Sequence, residues 1–187
     1  MRRWLLNFQA QFWVYIKQHE RAVAALEAFL AQYPAEARAW TTLAYLYAEK
    51  SRFNDAISAF ERALAPGTRA AATLFNYGFA LQKVGRHAEA LRAFEEAVAL
   101  QPNLDRAWYG MGISLIHDGR FHEAIEKLGE AGRLQPMSPF PRYQLAAAWF
   151  KLGEHDKVRA EYRHVKTFDP TVAEHIRTDF GVPQDPD

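Results

Sequence analysis

Three short stretches of the sequence hold residue types that could do chemistry. Gly110-Met111-Gly112 has the G-x-G form of a loop whose backbone N–H groups cradle phosphate. His122-Glu123 opens like the H-E-x-x-H of a zinc protease, but the place of the second histidine is taken by Glu126. Glu95-Glu96 offers two carboxylates, yet adjacent residues on a helix point in different directions, which defeats paired acid–base work. None of the serines, Ser51, Ser58, Ser114 and Ser138, sits in a G-x-S-x-G setting. Cysteine is absent, which removes disulfides, thiolate metal sites and cysteine nucleophiles. The residues therefore argue for no metal, no cofactor and no catalytic constellation, and the chain reads as a non-enzyme.

The elements that carry these residues repeat. Four segments align without a gap, beginning at Ala37, Ala71, Asp105 and Pro139, each 34 residues after the last. Within them, position 4 holds Trp40, Leu74, Trp108 and Arg142, and position 7 holds Leu43, Tyr77, Met111 and Leu145. Position 8 is always small: Ala44, Gly78, Gly112 and Ala146. Position 11 holds Tyr47, Leu81, Leu115 and Trp149. These places share one face of a helix. Positions 20, 24 and 27 make a second stripe, as in Ala56-Phe60-Ala63, Ala90-Phe94-Ala97, Ala124-Leu128-Ala131 and Val158-Tyr162-Val165. Pro102, Pro136 and Pro170 end the second helix, and "SRFN", "GRHA", "GRFH" and "GEHD" turn the first into the second. Each unit is thus two antiparallel helices. On this register Gly112 is a packing residue, and Trp108 is expected to be buried. Gly110 falls at position 6 and is expected to leave a side chain out of a surface between Tyr109 and Ile113. His87 and His155 occupy one turn position in separate units and cannot share a metal; each histidine is expected to be solvated.

The pattern W-x2-L-G-x2-Y, then A-x3-F, then P, resembles the tetratricopeptide repeat family, most closely at Trp108, Met111, Gly112 and Leu115. Arg142 in place of an aromatic, Pro139 and Pro141 in a first turn, and Pro66 with Thr68 before the second unit are departures. Counting back from Pro34 gives a degenerate unit over 3–36, in which Gln9 breaks the stripe. The full units are 37–70, 71–104, 105–138 and 139–170. Residues 171–180 place Val172, Ile176 and Phe180 on one face and read as a capping helix, with 181–187 as a tail. The resemblance implies an all-α, right-handed superhelical solenoid over 1–180, a single domain with its first helices lining a concave groove.

It further implies that positions 2, 5, 9, 12 and 13 of the first helices face that groove. Aromatic residues crowd these columns: Tyr45, Phe75, Phe79, Tyr109, Phe140, Tyr143 and Phe150, with Ile113 and His117 among them. Lys83, Arg106 and Lys151 add positive charge, and Asn76 and Gln144 at position 6 could read a peptide backbone. A groove of this kind takes a protein or peptide segment with apolar anchors and acidic neighbours. The alternative is that the same side chains pack on one another or under a terminus. Of the carboxylate clamp of chaperone-binding members only Asn76 and Arg106 fit; Thr41, Tyr45 and Gly110 depart from it.

Lys and Arg total 23 against 22 Asp and Glu, so no global field favours nucleic acid or an anionic membrane. Trp4 to Ile16 is the longest apolar run, too short to span a bilayer, and Asn7, Gln9 and Gln11 interrupt it. With Arg2 and Arg3 before it and Ala22-Val23-Ala24 after it the run has the outline of a leader, but Lys17, His19, Glu20 and Arg21 crowd its exit. Trp4, Leu5, Phe8, Phe12 and Ile16 cover more of this helix than one neighbour can bury. They either pack on the Val23/Leu26/Phe29 helix or meet a second copy, a partner or a membrane interface. The reading is a noncatalytic adaptor or assembly factor in the cytoplasm, from a bacterium by its Ala/Arg usage. A self-assembling or membrane-associated scaffold is the alternative.

Overall fold

A computed structural model of the chain describes residues 2–64 and 69–183, the side chains of residues 2–7 and 10 excepted. The described residues form helices and turns with no strand. They divide into two compact units, Met1–Arg86 and His87–Asp187. The first holds α1 (Arg2–Tyr15), α2 (His19–Gln32), α3 (Ala37–Glu49), α4 (Phe53–Ala63) and α5 (Ala71–Lys83). The second holds α6 (His87–Leu100), α7 (Asp105–His117), α8 (Phe121–Leu134), α9 (Pro139–Lys151), α10 (His155–Lys166) and α11 (Pro170–Phe180). No helix among the described residues is long and apolar enough to cross a membrane.

The turns explain why hairpins form. The residue that ends each first helix is left-handed: Lys17 (φ 56), Ser51 (φ 57), Gly85 (φ 79), Gly119 (φ 72) and Gly153 (φ 75). The next residue's N–H then bonds back to a carbonyl inside the helix: Gln18 to Trp13, Arg52 to Tyr47, Arg86 to Leu81, Arg120 to Leu115 and Glu154 to Trp149, at 2.9 to 3.0 Å. This closure satisfies carbonyls that a helix end leaves open and starts the return helix at once. Glycine takes the conformation freely at three of the five turns; Lys17 and Ser51 take it under strain. Lys17 shows that the turn geometry reaches into the most degenerate stretch of the sequence.

The second stripe makes the core. In the first unit Ala22, Leu26 and Phe29 of α2 and Ala56, Phe60 and Ala63 of α4 are buried with Leu43, Ala44 and Tyr47 of α3. In the second, Phe94 and Leu128 are fully enclosed. An added Cβ on Gly112 would lie 2.5 Å from Leu128 Cγ, so α7 and α8 approach through that glycine. α11 closes the last hairpin: Ala173, Ile176 and Val182 are buried with Ala146 of α9 and Val158, Tyr162 and Val165 of α10.

Trp108, expected to be buried, is not, whereas Leu74 in the same column is. Trp40 and Trp108 are half-buried. Each indole N–H donates to a proline carbonyl six residues earlier, Trp40 to Pro34 and Trp108 to Pro102, both at 2.8 Å. The ring edge therefore stays near the surface, and cations lie over the rings, Arg62 at 5.1 Å from Trp40 and Lys127 at 5.8 Å from Trp108. Arg142 fills the same column in α9. Its Nη1 donates to Glu161 Oε2 of α10 at 3.4 Å, while its Nε is buried without a partner. Burial pushes the Glu161 carboxyl above its ordinary range, and the guanidinium only partly offsets this.

Candidate functional site

In the first unit the groove columns fall on α3 and α5. Tyr45 is half in solvent, at 50% exposure, and the Glu49 carboxylate one turn on accepts its hydroxyl and raises its pKa. Glu49 also lies 3.3 Å from His19 Nδ1 of α2. On α5, Phe75 and Asn76 are half-buried and Phe79 is exposed. The Phe79 ring meets Phe53 of α4 edge-on at 6.4 Å, and the Lys83 ammonium lies 5.1 Å from its centroid. The surface of this unit is thus aromatic with polar handles.

In the second unit they fall on α7 and α9. Arg106 is exposed, and Tyr109 and Ile113 are half-buried. Burial raises the Tyr109 phenol, and a hydrogen bond with Gln144 of α9 acts against that rise. Phe140 is the most open groove aromatic at 65% exposure, and Lys151 is exposed at the far end of α9. Tyr143 and Phe150 are not free rings. Tyr143 donates to Asp179 Oδ2 at 2.6 Å, and both rings meet Phe180 of α11, at 5.4 and 5.5 Å between centroids. The sequence pattern puts Phe180 on the capping stripe and gives Asp179 no role. Neither contact obeys the period, so no repeat register could have shown them.

Two expectations are corrected here. Gly110 does not open a surface. It is buried, and a Cβ there would lie 2.6 Å from Cζ of the Phe94 ring of α6. The flanking glycines of "GMG" therefore both serve helix approach, one to α6 and one to α8. His87, expected in solvent, is half-buried and stacks on His117 at 4.1 Å with 12° between the planes. Its Nδ1 is buried without a partner, and burial, then the charge of His117, lowers its pKa. Among the described residues no group of three or more His, Cys, Asp or Glu could hold a metal.

The first unit also has a depression of about 520 Å³ away from the groove columns, between α2 and α4 over Trp40 and Tyr47. Burial, followed by the hydrogen bond it donates to Glu27, pushes the Tyr47 phenol up to about 12. Among the described residues, α1 packs on α2. Phe8 is 55% exposed, and Phe12, Tyr15 and Ile16 are exposed beside it. Trp4 and Leu5, expected on the same face, lie outside the described side chains.

Family models described as tetratricopeptide repeat match residues 14–73 and 71–104. Together with the hairpins above, these matches show tetratricopeptide repeats over residues 14–104. Solved structures agree in fold. One is YrrB, described as a TPR protein with an unusual peptide-binding site: TM-score 0.85 at 22% identity, covering 92% of this chain and 90% of that one. Another is MamA: TM-score 0.85 at 17% identity, covering 98% of each chain. A MamA segment from Desulfovibrio magneticus RS-1 follows at TM-score 0.79 and 18% identity, covering 98% of this chain and 97% of that one. No curated protein sequence matches at a significant level. At these identities the likeness carries the fold and nothing more.

Proposed function

We propose that the chain is a noncatalytic adaptor that holds a protein or peptide segment on the groove columns of its first helices. The observation that carries this reading is the exposure of aromatic side chains at those columns in both units. Tyr45 and Phe79 are exposed in the first, and Phe140 in the second, where Phe150 is partly covered by Phe180. Aromatic anchors dominate the energetics of peptide grooves. Lys83, Arg106 and Lys151 are exposed beside them and favour a partner with acidic residues. The peptide-binding site named for YrrB, on the same fold, adds support by analogy.

The test is capture of partners from the source cell by the wild-type chain and by Tyr45→Ala with Phe140→Ala. Both side chains are largely solvated, so helicity and melting should be unchanged while captured partners are lost. Equal capture by the double variant overturns the reading.

A second reading rests on α1. Its apolar residues Phe8, Phe12 and Ile16 are exposed. On this reading α1 joins a second copy or an interface, and the chain is a scaffold. Sedimentation of the full chain against one beginning at Gln18 decides it, together with liposome flotation. Identical monomers without lipid binding reject it.

A further inference from the structure

The last two residues of α11 reach beyond its buried face to the groove columns of α9. Ala173, Ile176 and Val182 already bury this helix end against α9 and α10. Phe180 and Tyr143 pack together on the edge of that cluster, and from there Asp179 and Phe180 reach the groove columns of α9. The Phe180 ring is tilted against Tyr143 by 49° and against Phe150 by 38°, in contact with both. Beside it, Asp179 takes the Tyr143 hydroxyl at 2.6 Å in an exposed position. That carboxylate is the main cause that holds the phenol up to about 12. A carboxylate and an aromatic ring, neighbours in sequence, are thus seated together on two aromatic residues of the surface assigned above to a partner.

We propose that Tyr143 and Phe150 form a seat for an acidic–aromatic pair in a partner peptide, and that Asp179-Phe180 is its built-in occupant, displaced when the partner binds. The inference rests on the groove reading and gives it a ligand chemistry. The seat selects this pair for a physical reason. The Tyr143 hydroxyl donates to a carboxylate, and the two rings offer faces and edges to a third. Phe150 keeps 37% of its surface open, so the seat is covered and not sealed. Lys151, exposed and next in sequence, adds a cation on the same helix.

The occupant can leave without unwinding its helix. α11 ends at Gly181, left-handed at φ 64, whose N–H bonds to the Arg177 carbonyl; Val182 N–H bonds to the same carbonyl at 3.0 Å. These bonds and the fully buried Ala173 and Ile176 hold the backbone while the half-buried Phe180 ring leaves the edge of their cluster and, with the Asp179 carboxylate, turns away by side-chain rotation.

The test uses the full chain and a fluorescein-labelled peptide, Gly-Ala-Asp-Phe-Ala, followed by anisotropy. A Gly-Ala-Asn-Ala-Ala peptide is the control. Removing the internal competitor with Phe180→Ala should tighten binding of the Asp-Phe peptide about tenfold, the size expected when two ring contacts no longer compete. Asp179→Asn should tighten it less and bring the Tyr143 phenol down toward its ordinary value. Adding Phe150→Ala to Phe180→Ala should remove binding. If Phe180→Ala melts early, Phe180→Leu keeps the apolar bulk and breaks the ring contacts, and the same direction is expected. Unchanged affinity in the Phe180 variants, or equal binding of the two peptides, overturns the proposal. If Tyr45→Ala with Phe140→Ala still loses its cellular partners in that case, the groove reading stands and only this seat falls.

Discussion

Replacing Gly110, Gly112 and Gly129 by alanine, one at a time, tests the helix contacts of the second unit against an internal control. All three lie inside helices, so each alanine gains about 0.8–1 kcal/mol of helix propensity over glycine. Gly129 is exposed, and nothing lies within 4 Å of its added Cβ. Gly129→Ala should therefore realise the whole gain and raise Tm by about 2–4 °C in a chain of this length. At Gly110 the Cβ lies 2.6 Å from Phe94 Cζ, the tip of a fully buried rigid ring; at Gly112 it lies 2.5 Å from Leu128 Cγ, a buried branch point. Neither neighbour can retreat into solvent. Overpacking of this kind costs about 1–3 kcal/mol, which leaves each variant less stable by up to about 2 kcal/mol after the propensity gain. Urea and thermal melts followed by circular dichroism give the comparison. Adding Leu128→Ala to Gly112→Ala relieves the clash, so the pair should lose less than the sum of its single losses by about 1 kcal/mol. Stabilisation of all three alanine variants by the same amount would refute the close approach of α7 to its neighbours.

Ser51→Gly should stabilise the first unit by about 1 kcal/mol, since φ 57 strains serine and not glycine; a thermal melt with no upward shift contradicts this. Arg142→Met and Glu161→Met should each cost about 1–3 kcal/mol by leaving a part-buried partner unpaired, while the double variant returns to within about 1 kcal/mol of wild type. A double variant as unstable as the two singles combined contradicts the pairing. In alkaline titration by tyrosine absorbance, Tyr47 and Tyr143 should ionise near about 12, well after ordinary phenols near about 10. Folded, both hold their proton more tightly than unfolded. Their contribution to stability is complete below about pH 10 and is lost as pH rises through about 12. Asp179→Asn should move one of the two late phenols and leave the other.

The helices and their core faces could be read from the period because packing between hairpins repeats wherever the hairpin repeats. Leu128 and Phe94 occupy one column and are enclosed in the same way. What the period hid has specific causes. The register assigns Gly110 to an outer surface because its own column says nothing of Phe94, which arrives from the preceding helix. The size of its ring assigns Trp108 to the core, yet its N–H must find an acceptor, and Pro102 supplies one near the surface. The aromatic columns of the groove were visible as residue types, but their state was not. Tyr143 and Phe150 are engaged by a helix outside the repeat, whereas Phe140 three residues before Tyr143 stays open. Lys17 carried no turn signal, since lysine seldom adopts a left-handed backbone; the geometry there is imposed by the hairpin around it.

The indole-to-proline bond bears on how such a chain can change length. Trp40 reaches Pro34, and Trp108 reaches Pro102, across the same six-residue interval and with the same length. Each is a joint between the close of one hairpin and the opening of the next, and both halves of it lie within a single short stretch. A duplication or deletion of one whole period that begins anywhere inside a hairpin carries one complete joint with it and leaves none half made. The chain can thus gain or lose a hairpin without inventing a new junction. Where the tryptophan is replaced, as at Arg142, that freedom ends, because the arginine's partner Glu161 sits in the following helix and must travel with it.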